Sequence, residues 1–143
     1  MTPYRITVHD DLDPEDVEAV FEGLRAYNAL HAGPSNRRRL GVFLRGPDGR
    51  IVGGLVGDTA WQWLYVDALW IDEPLRKQGH GRAMLRAAEE RARARGCRNV
   101  YLDTFDFQAL PFYRKEGYEV YGTQEDFPPG HRRYYLRKEL IAR

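Results

Sequence analysis

Apolar residues recur along the chain with two different periods, and each change of period marks a new element. Behind Asp13-Pro14-Glu15-Asp16, the residues Val17, Val20, Phe21 and Leu24 stand at helical spacing. With Asp13 as cap, Pro14 at the first position and acids in the first turn, this predicts an amphipathic helix to about Leu30. Ahead of it, Arg5-Ile6-Thr7-Val8 predicts a short first strand. Gly33-Pro34-Ser35-Asn36 breaks the helix, and Arg37-Arg38-Arg39 leads into a strand from Leu40 to Arg45. Pro47-Asp48-Gly49 then predicts a hairpin turn, because Pro fixes one dihedral angle and Gly accepts the conformation that other residues resist. Ile51 to Val56 is expected to pair antiparallel with the strand before it.

The second half alternates strands and helices. A strand rich in aromatic and β-branched residues is predicted from Trp61 to Ile71, and Glu73-Pro74 ends it. Period two places Trp61, Trp63 and Tyr65 on one face and Trp70 on the other, unless a bulge intervenes. Core packing or a dimer surface explains these rings better than an aromatic acceptor pocket does. A helix follows from about Gly81 to Arg95, with Gly96 as its stop signal. Val100 to Phe105 is the next strand, Gln108 to Glu116 a short helix, and Tyr118 to Thr123 and Arg133 to Arg137 the last strands. The rigid loop Phe127-Pro128-Pro129-Gly130-His131 joins those two, either as a connector or as a wall of an acceptor pocket. The order β-α-β-β-β-α-β-α-β-β describes a mixed α/β (α+β) fold, read as a single domain over residues 1–143.

Composition narrows the function. Apolar residues make up 43% and charged residues 30% of the 143, the balance of an ordinary globular domain. No apolar run is long enough to cross a bilayer, and the N-terminus lacks a signal-peptide stretch, so a cytoplasmic protein with no membrane partner is expected. Cys97 is the only cysteine, which excludes an internal disulfide and a cysteine-based zinc cluster. It is read as a small apolar filler. The four histidines lack ligand spacing, so no metal is expected. The formal net charge is only +1, and the arginines at 91, 93, 95 and 98 are balanced by Glu89 and Glu90. A solvated face is the better reading than a nucleic-acid surface. Any affinity for phosphate must therefore be local.

Such a local site is written into Ile71-Asp72-Glu73-Pro74-Leu75-Arg76-Lys77-Gln78-Gly79-His80-Gly81, between a strand end and a helix start. Unpaired N–H groups and the positive helix end favour an anion there, and two glycines let it approach the backbone. The Walker pattern is absent, and the dinucleotide pattern fails because Met84 stands at its third glycine. A bare Gly-x-Gly fits a plain turn equally well, but the longer pattern Arg76-x-x-Gly79-x-Gly81 resembles the Gcn5-related N-acetyltransferase (GNAT) superfamily. A second segment, Ala109-Leu110-Pro111-Phe112-Tyr113-Arg114-Lys115-Glu116-Gly117-Tyr118, is similar to that family's Ala-x-x-x-Tyr-x-x-x-Gly-Phe/Tyr segment.

The resemblance implies a central mixed sheet of about six to seven strands flanked by helices and splayed at a cofactor cleft. It implies acetyl-CoA as co-substrate, with its pyrophosphate on the loop Arg76, Lys77, Gln78, Gly79, His80, Gly81 and Arg82. Backbone groups of Leu69, Trp70 and Ile71, beside a strand bulge, would pair with the pantetheine arm. The family's usual asparagine falls on Asp106, which cannot donate to a phosphate, so a cofactor role passes to Gln108. His80 inside the loop is also read as solvent-facing. A small-molecule amine is the expected acceptor, with a protein lysine or N-terminus as the other choice, and the resemblance points to a homodimer.

Acetyl transfer to an amine needs a neutral amine, a polarised thioester carbonyl and a proton for the departing sulfur. Tyr113 matches the family tyrosine that supplies this proton; its ordinary pKa near ~10 keeps it protonated at neutral pH. Asp67 is the expected base, followed by Asp103 and Asp106. N–H groups at the bulge would polarise the carbonyl. The other class of function that fits the loop is a non-catalytic acyl-CoA-binding sensor or scaffold.

Overall fold

The computed structural model describes residues 3–141, which fall into two compact units, one ending at Ser35 and the other beginning at Asn36. The first holds a single helix, α1 (Pro14–Ala32). Asp13 caps it by accepting the Glu15 N–H at 2.9 Å, and Gly33 ends it at a φ of 75°. Residues 5–8 form no strand. Four residues of suitable pattern express a preference that only ladder pairing realises, and no ladder forms here.

The second unit carries β1 (Arg38–Arg45), β2 (Ile51–Ala60), β3 (Trp63–Ile71), a 3₁₀ turn (Glu73–Leu75), α2 (His80–Ala94), β4 (Asn99–Phe105), α3 (Leu110–Lys115), β5 (Glu119–Glu125) and β6 (Arg132–Glu139). The six strands form one mixed sheet in the order β1-β2-β3-β4-β6-β5. Every pairing is antiparallel except β3 with β4, which α2 connects as a crossover. No helix among the described residues is long and apolar enough to cross a membrane.

The core lies on the α2 side of the sheet. Leu55, Leu64, Val100, Leu102 and Leu136 alternate inward from their strands and meet Leu85, Ala88 and Ala92 of α2. Cys97 fills the same core, and burial pushes its thiol pKa up. One buried acid is paired there, with a half-buried lysine. Glu89 of α2 accepts from Lys138 Nζ at 2.8 Å and from the Tyr118 hydroxyl at 2.6 Å, and Lys138 also donates to the Glu116 carbonyl at 2.9 Å. Arg37 and Arg39 converge on the buried Asp58 carboxylate at 3.0 and 3.3 Å, so two of the three adjacent arginines serve the sheet.

Two features define β3. The expected strand start at Trp61 is a turn instead: Ala60 pairs with Trp63, leaving Trp61 and Gln62 as a two-residue loop with φ of 47° and 65°. Both central residues are left-handed, as the tight hairpin requires, but neither Gly nor Asn marks it in the sequence. The second feature is the bulge that the resemblance implies. Val56 pairs with Ala68 and Gly57 with Val66, so Asp67 has no partner on β2. One extra residue reverses the facing of all that follows it, and Trp70 comes to share a face with Trp63 and Tyr65. The strands crowd so closely at the bulge that a Cβ on Gly57 would stand 2.1 Å from the Tyr65 carbonyl oxygen.

Gly57→Ala is therefore expected to lower stability by about 3 kcal/mol in urea denaturation, and a change below about 1 kcal/mol would contradict this packing. Lys138→Met is expected to cost roughly 3–5 kcal/mol in the same measurement, because it leaves the Glu89 charge buried without its cation.

Candidate functional site

Parallel pairing of β3 with β4 runs from Trp63–Asn99 to Val66–Leu102 and stops there. Past the bulge the two strands part, and a cleft opens between them. Its two lobes share Leu69, Ile71, Arg76, Gln108, Ala109 and Tyr113. The lobe toward the glycine loop encloses about 780 Å³ and the other about 490 Å³.

The cleft edge of β3 is not saturated. The Asp72 N–H donates to the Val52 carbonyl at 2.8 Å. By the alternation of an antiparallel ladder, Trp70 and Ala68 then bond β2, while the N–H and C=O groups of Leu69 and Ile71 point into the cleft. Arg76 Nε takes the Ile71 carbonyl at 2.9 Å and so ties the loop to the strand end. The sequence places Trp70 beside Leu69 and Ile71 as a backbone contact; here its backbone faces β2 and its exposed indole lines the smaller lobe.

The loop is shaped by backbone conformation. Lys77 has a φ of 62° and Gly79 a φ of 87°, which turns the chain into α2. Among the described residues, no hydrogen bond within the fold uses the backbone N–H groups of residues 77–82. The first helical bond is Ala83 N–H to the Gly79 carbonyl at 3.1 Å. A row of N–H donors at a helix start is thus left free beside the larger lobe. Gly81 keeps that wall thin: a Cβ there would lie 3.3 Å from Ile71 Cδ1 and 3.5 Å from the Phe112 ring. Lys77 and Lys115 line the lobe without an ion pair among the described residues, whereas Arg82 is held by Glu116 at 3.2 Å. Gln78 donates to the Pro74 carbonyl at 3.0 Å, and neither Gln78 nor His80 lines either lobe.

Tyr113, from α3, stands where the lobes meet. Its ring is buried edge-on against Phe112 and Tyr118, and its hydroxyl hydrogen-bonds no group among the described residues. Burial, and then the negative charge of Asp103, push its pKa up to about 12. Gln108 is fixed by its carbonyl oxygen, which accepts the Phe105 N–H at 2.8 Å and the Thr104 hydroxyl at 3.2 Å. Its amide N–H₂ remains for the cleft, where the side chain lines both lobes.

The three acids differ in their commitments. Asp103 accepts Arg133 Nε at 2.9 Å. Asp106 lies outside the cleft and clasps the β5–β6 loop, accepting from His131 Nδ1 at 2.8 Å and from the Arg132 N–H at 2.9 Å. Desolvation opposes the charge on Asp106, but those two hydrogen bonds outweigh it and hold the carboxyl below its ordinary range. Asp67, the bulge residue, lines the smaller lobe and makes no hydrogen bond or ion pair among the described residues. Phe107, Lys115 and Glu116 also line the cleft, and no signal in the sequence singles them out as site residues.

Known proteins are similar to this chain in sequence and fold. The chain is 38% identical over 135 residues to the blasticidin-S acetyltransferase of Streptomyces morookaense, covering 94% of each chain. It superposes with a TM-score of 0.89 on a crystal structure from Agrobacterium tumefaciens assigned as an acetyltransferase, at 37% identity over 95% of this chain and 99% of that one. An aminoglycoside 6′-N-acetyltransferase solved with coenzyme A shares the fold at a TM-score of 0.65 and 18% identity, covering 96% and 97% of the two chains. The family model for the acetyltransferase (GNAT) family matches residues 5–118, and the chain belongs to that family as an acetyltransferase.

Proposed function

We propose that the protein moves the acetyl group of acetyl-CoA directly onto the amine of a small molecule. The observation that carries this is the splayed β3–β4 cleft. At one end it offers the free N–H row of residues 77–82, along its wall the N–H and C=O of Leu69, at its centre the Tyr113 hydroxyl, and at the far end the uncommitted Asp67 carboxylate.

Each part answers one need of the reaction. The N–H row of the loop, with Arg76, Lys77 and Lys115 beside it, suits a pyrophosphate. Leu69 would pair with the amide groups of the pantetheine arm as a neighbouring strand does, and the Gln108 amide would donate to the same arm. The acceptor enters from the Asp67 side, where the carboxylate takes a proton from the ammonium and leaves the nitrogen lone pair free. That nitrogen forms a bond to the thioester carbon as the carbon–sulfur bond breaks. The Tyr113 hydroxyl passes its proton to the departing sulfur, which leaves as a thiol. The second proton, shed by the acylated nitrogen as the amide forms, returns through solvent to restore that hydroxyl. Holding both reactants in line removes the need for an acyl-enzyme. A small molecule is favoured as acceptor by the relative that acts on blasticidin S. Cys97 as a free buried thiol agrees with a cytoplasmic setting.

Calorimetric titration with acetyl-CoA is expected to give micromolar binding, weakened at least about tenfold by Gly81→Val, which thickens the loop wall. Binding indifferent to that substitution would remove the loop from the site. Tyr113→Phe is expected to lower kcat by roughly 10²-fold with acetyl-CoA binding nearly unchanged. Because the acid must be protonated and its pKa is raised to about 12, the wild-type rate should climb with pH as the amine loses its proton. No falling limb from Tyr113 should be seen up to about pH 10. A rate unchanged in Tyr113→Phe would take the residue out of the mechanism.

A further inference from the structure

The smaller lobe holds an aromatic arrangement that acetyl transfer by itself does not require. Phe105 stacks nearly parallel with Phe107 at 5.4 Å and 4°, and with Phe127 at 5.5 Å and 6°. Phe107 and Phe127 make no ring contact with each other, so they flank Phe105 as a three-ring ladder. Arg133 braces it, its guanidinium 4.9 Å from the Phe127 centroid and 5.5 Å from that of Phe105, while Asp103 anchors that guanidinium. The His131 ring meets Phe107 edge-on at 5.0 Å and is itself clasped by Asp106.

Of the three rings only Phe107 lines the cleft, and it remains 58% exposed. Trp70, 52% exposed, lines the same lobe because the bulge reverses its facing. A large apolar side chain held this exposed by its neighbours is a pre-ordered contact surface, not core. The charged groups of the lobe are Asp103, which Arg133 neutralises, Asp67, which has no ion pair among the described residues, and Arg76, whose guanidinium is turned onto the Ile71 carbonyl at the loop end. Two aromatic surfaces and one unneutralised negative charge suit one cationic group on a flat body. A polyamine would bring several positive charges to a lobe with a single uncommitted acid.

Building on the acetyl-transfer reading, we propose that the acceptor is an amine carried on a planar aromatic or heteroaromatic group. That ring sits against Phe107 and Trp70, and its ammonium end meets Asp67. The ring extends the Phe127–Phe105–Phe107 ladder by one layer, while Asp67 holds the nitrogen that is acetylated. Phe107 and Trp70 then set specificity, and Asp67 reads charge.

The test pairs phenethylamine with cyclohexylethylamine, two amines of like length that differ in ring flatness. Both are titrated calorimetrically into the full chain in the presence of CoA, and both are assayed for thiol release from acetyl-CoA. The flat amine should bind roughly fivefold to tenfold more tightly, and Phe107→Leu, at an exposed position, should abolish that preference. Asp67→Asn should weaken both amines alike. Equal binding of the two amines, no binding of either, or a preference that survives in both Phe107→Leu and Trp70→Leu would overturn the proposal. Thiol release with both amines at equal KM would also overturn it, while leaving acetyl transfer intact. Selective binding of the flat amine without thiol release from any amine would sink the transfer reading and keep the ring site.

Discussion

Between Val66 and Ala68, β3 carries one residue more than its antiparallel neighbour, and the site depends on that surplus. An unpaired residue bends and twists its strand. Pairing with β4 consequently ends at Val66–Leu102, and two strands that began parallel separate into the walls of a cleft. The same surplus returns the hydrogen-bonding groups of Leu69 and Ile71 to the opened side, turns Trp70 over, and presents Asp67 to solvent. A regular β3 would close the gap with ladder bonds. Gly57 is the partner that permits the bulge, since its missing Cβ is what the Tyr65 carbonyl occupies.

Charge is distributed along the cleft to match. The loop end combines free N–H groups with lysines that have no ion pair among the described residues, while Glu116 restrains Arg82 nearby. At the other end Arg133 cancels Asp103, and Asp67 is left without an ion pair among the described residues. Between them Tyr113 sits in a buried setting that favours its neutral form, which is the form that can give a proton. Asp106 serves a different purpose: with His131 and Arg132 it pins the β5–β6 loop beside the aromatic ladder.

Much of this was legible in the residues. Asp13-Pro14 announced α1, Pro47-Asp48-Gly49 the first hairpin, and the glycines at 79 and 81 the entry to α2. The loop pattern and the Ala109–Tyr118 segment located the two sides of the cleft. The illegible parts have physical reasons. The Trp61–Gln62 turn puts two side chains in a left-handed conformation that neither prefers, so no local preference betrays it. Arg5–Val8 shows that a strand preference without a ladder stays a preference. The aromatic ladder joins Phe105 at the end of β4 to Phe127 in the β5–β6 loop, 22 positions on, and no periodicity links them.

Amide hydrogen exchange resolved by residue tests the bulge and its consequence most directly. The N–H groups of Leu69 and Ile71 should exchange quickly in the free protein, while those of Ala68 and Trp70 are protected by β2. Saturating CoA should slow Leu69 and leave Trp70 unchanged. Protection of Leu69 and Ile71 before any ligand is added, or exposure of Trp70 instead, would mean that β3 is paired in the other register and that the cleft is not formed as described.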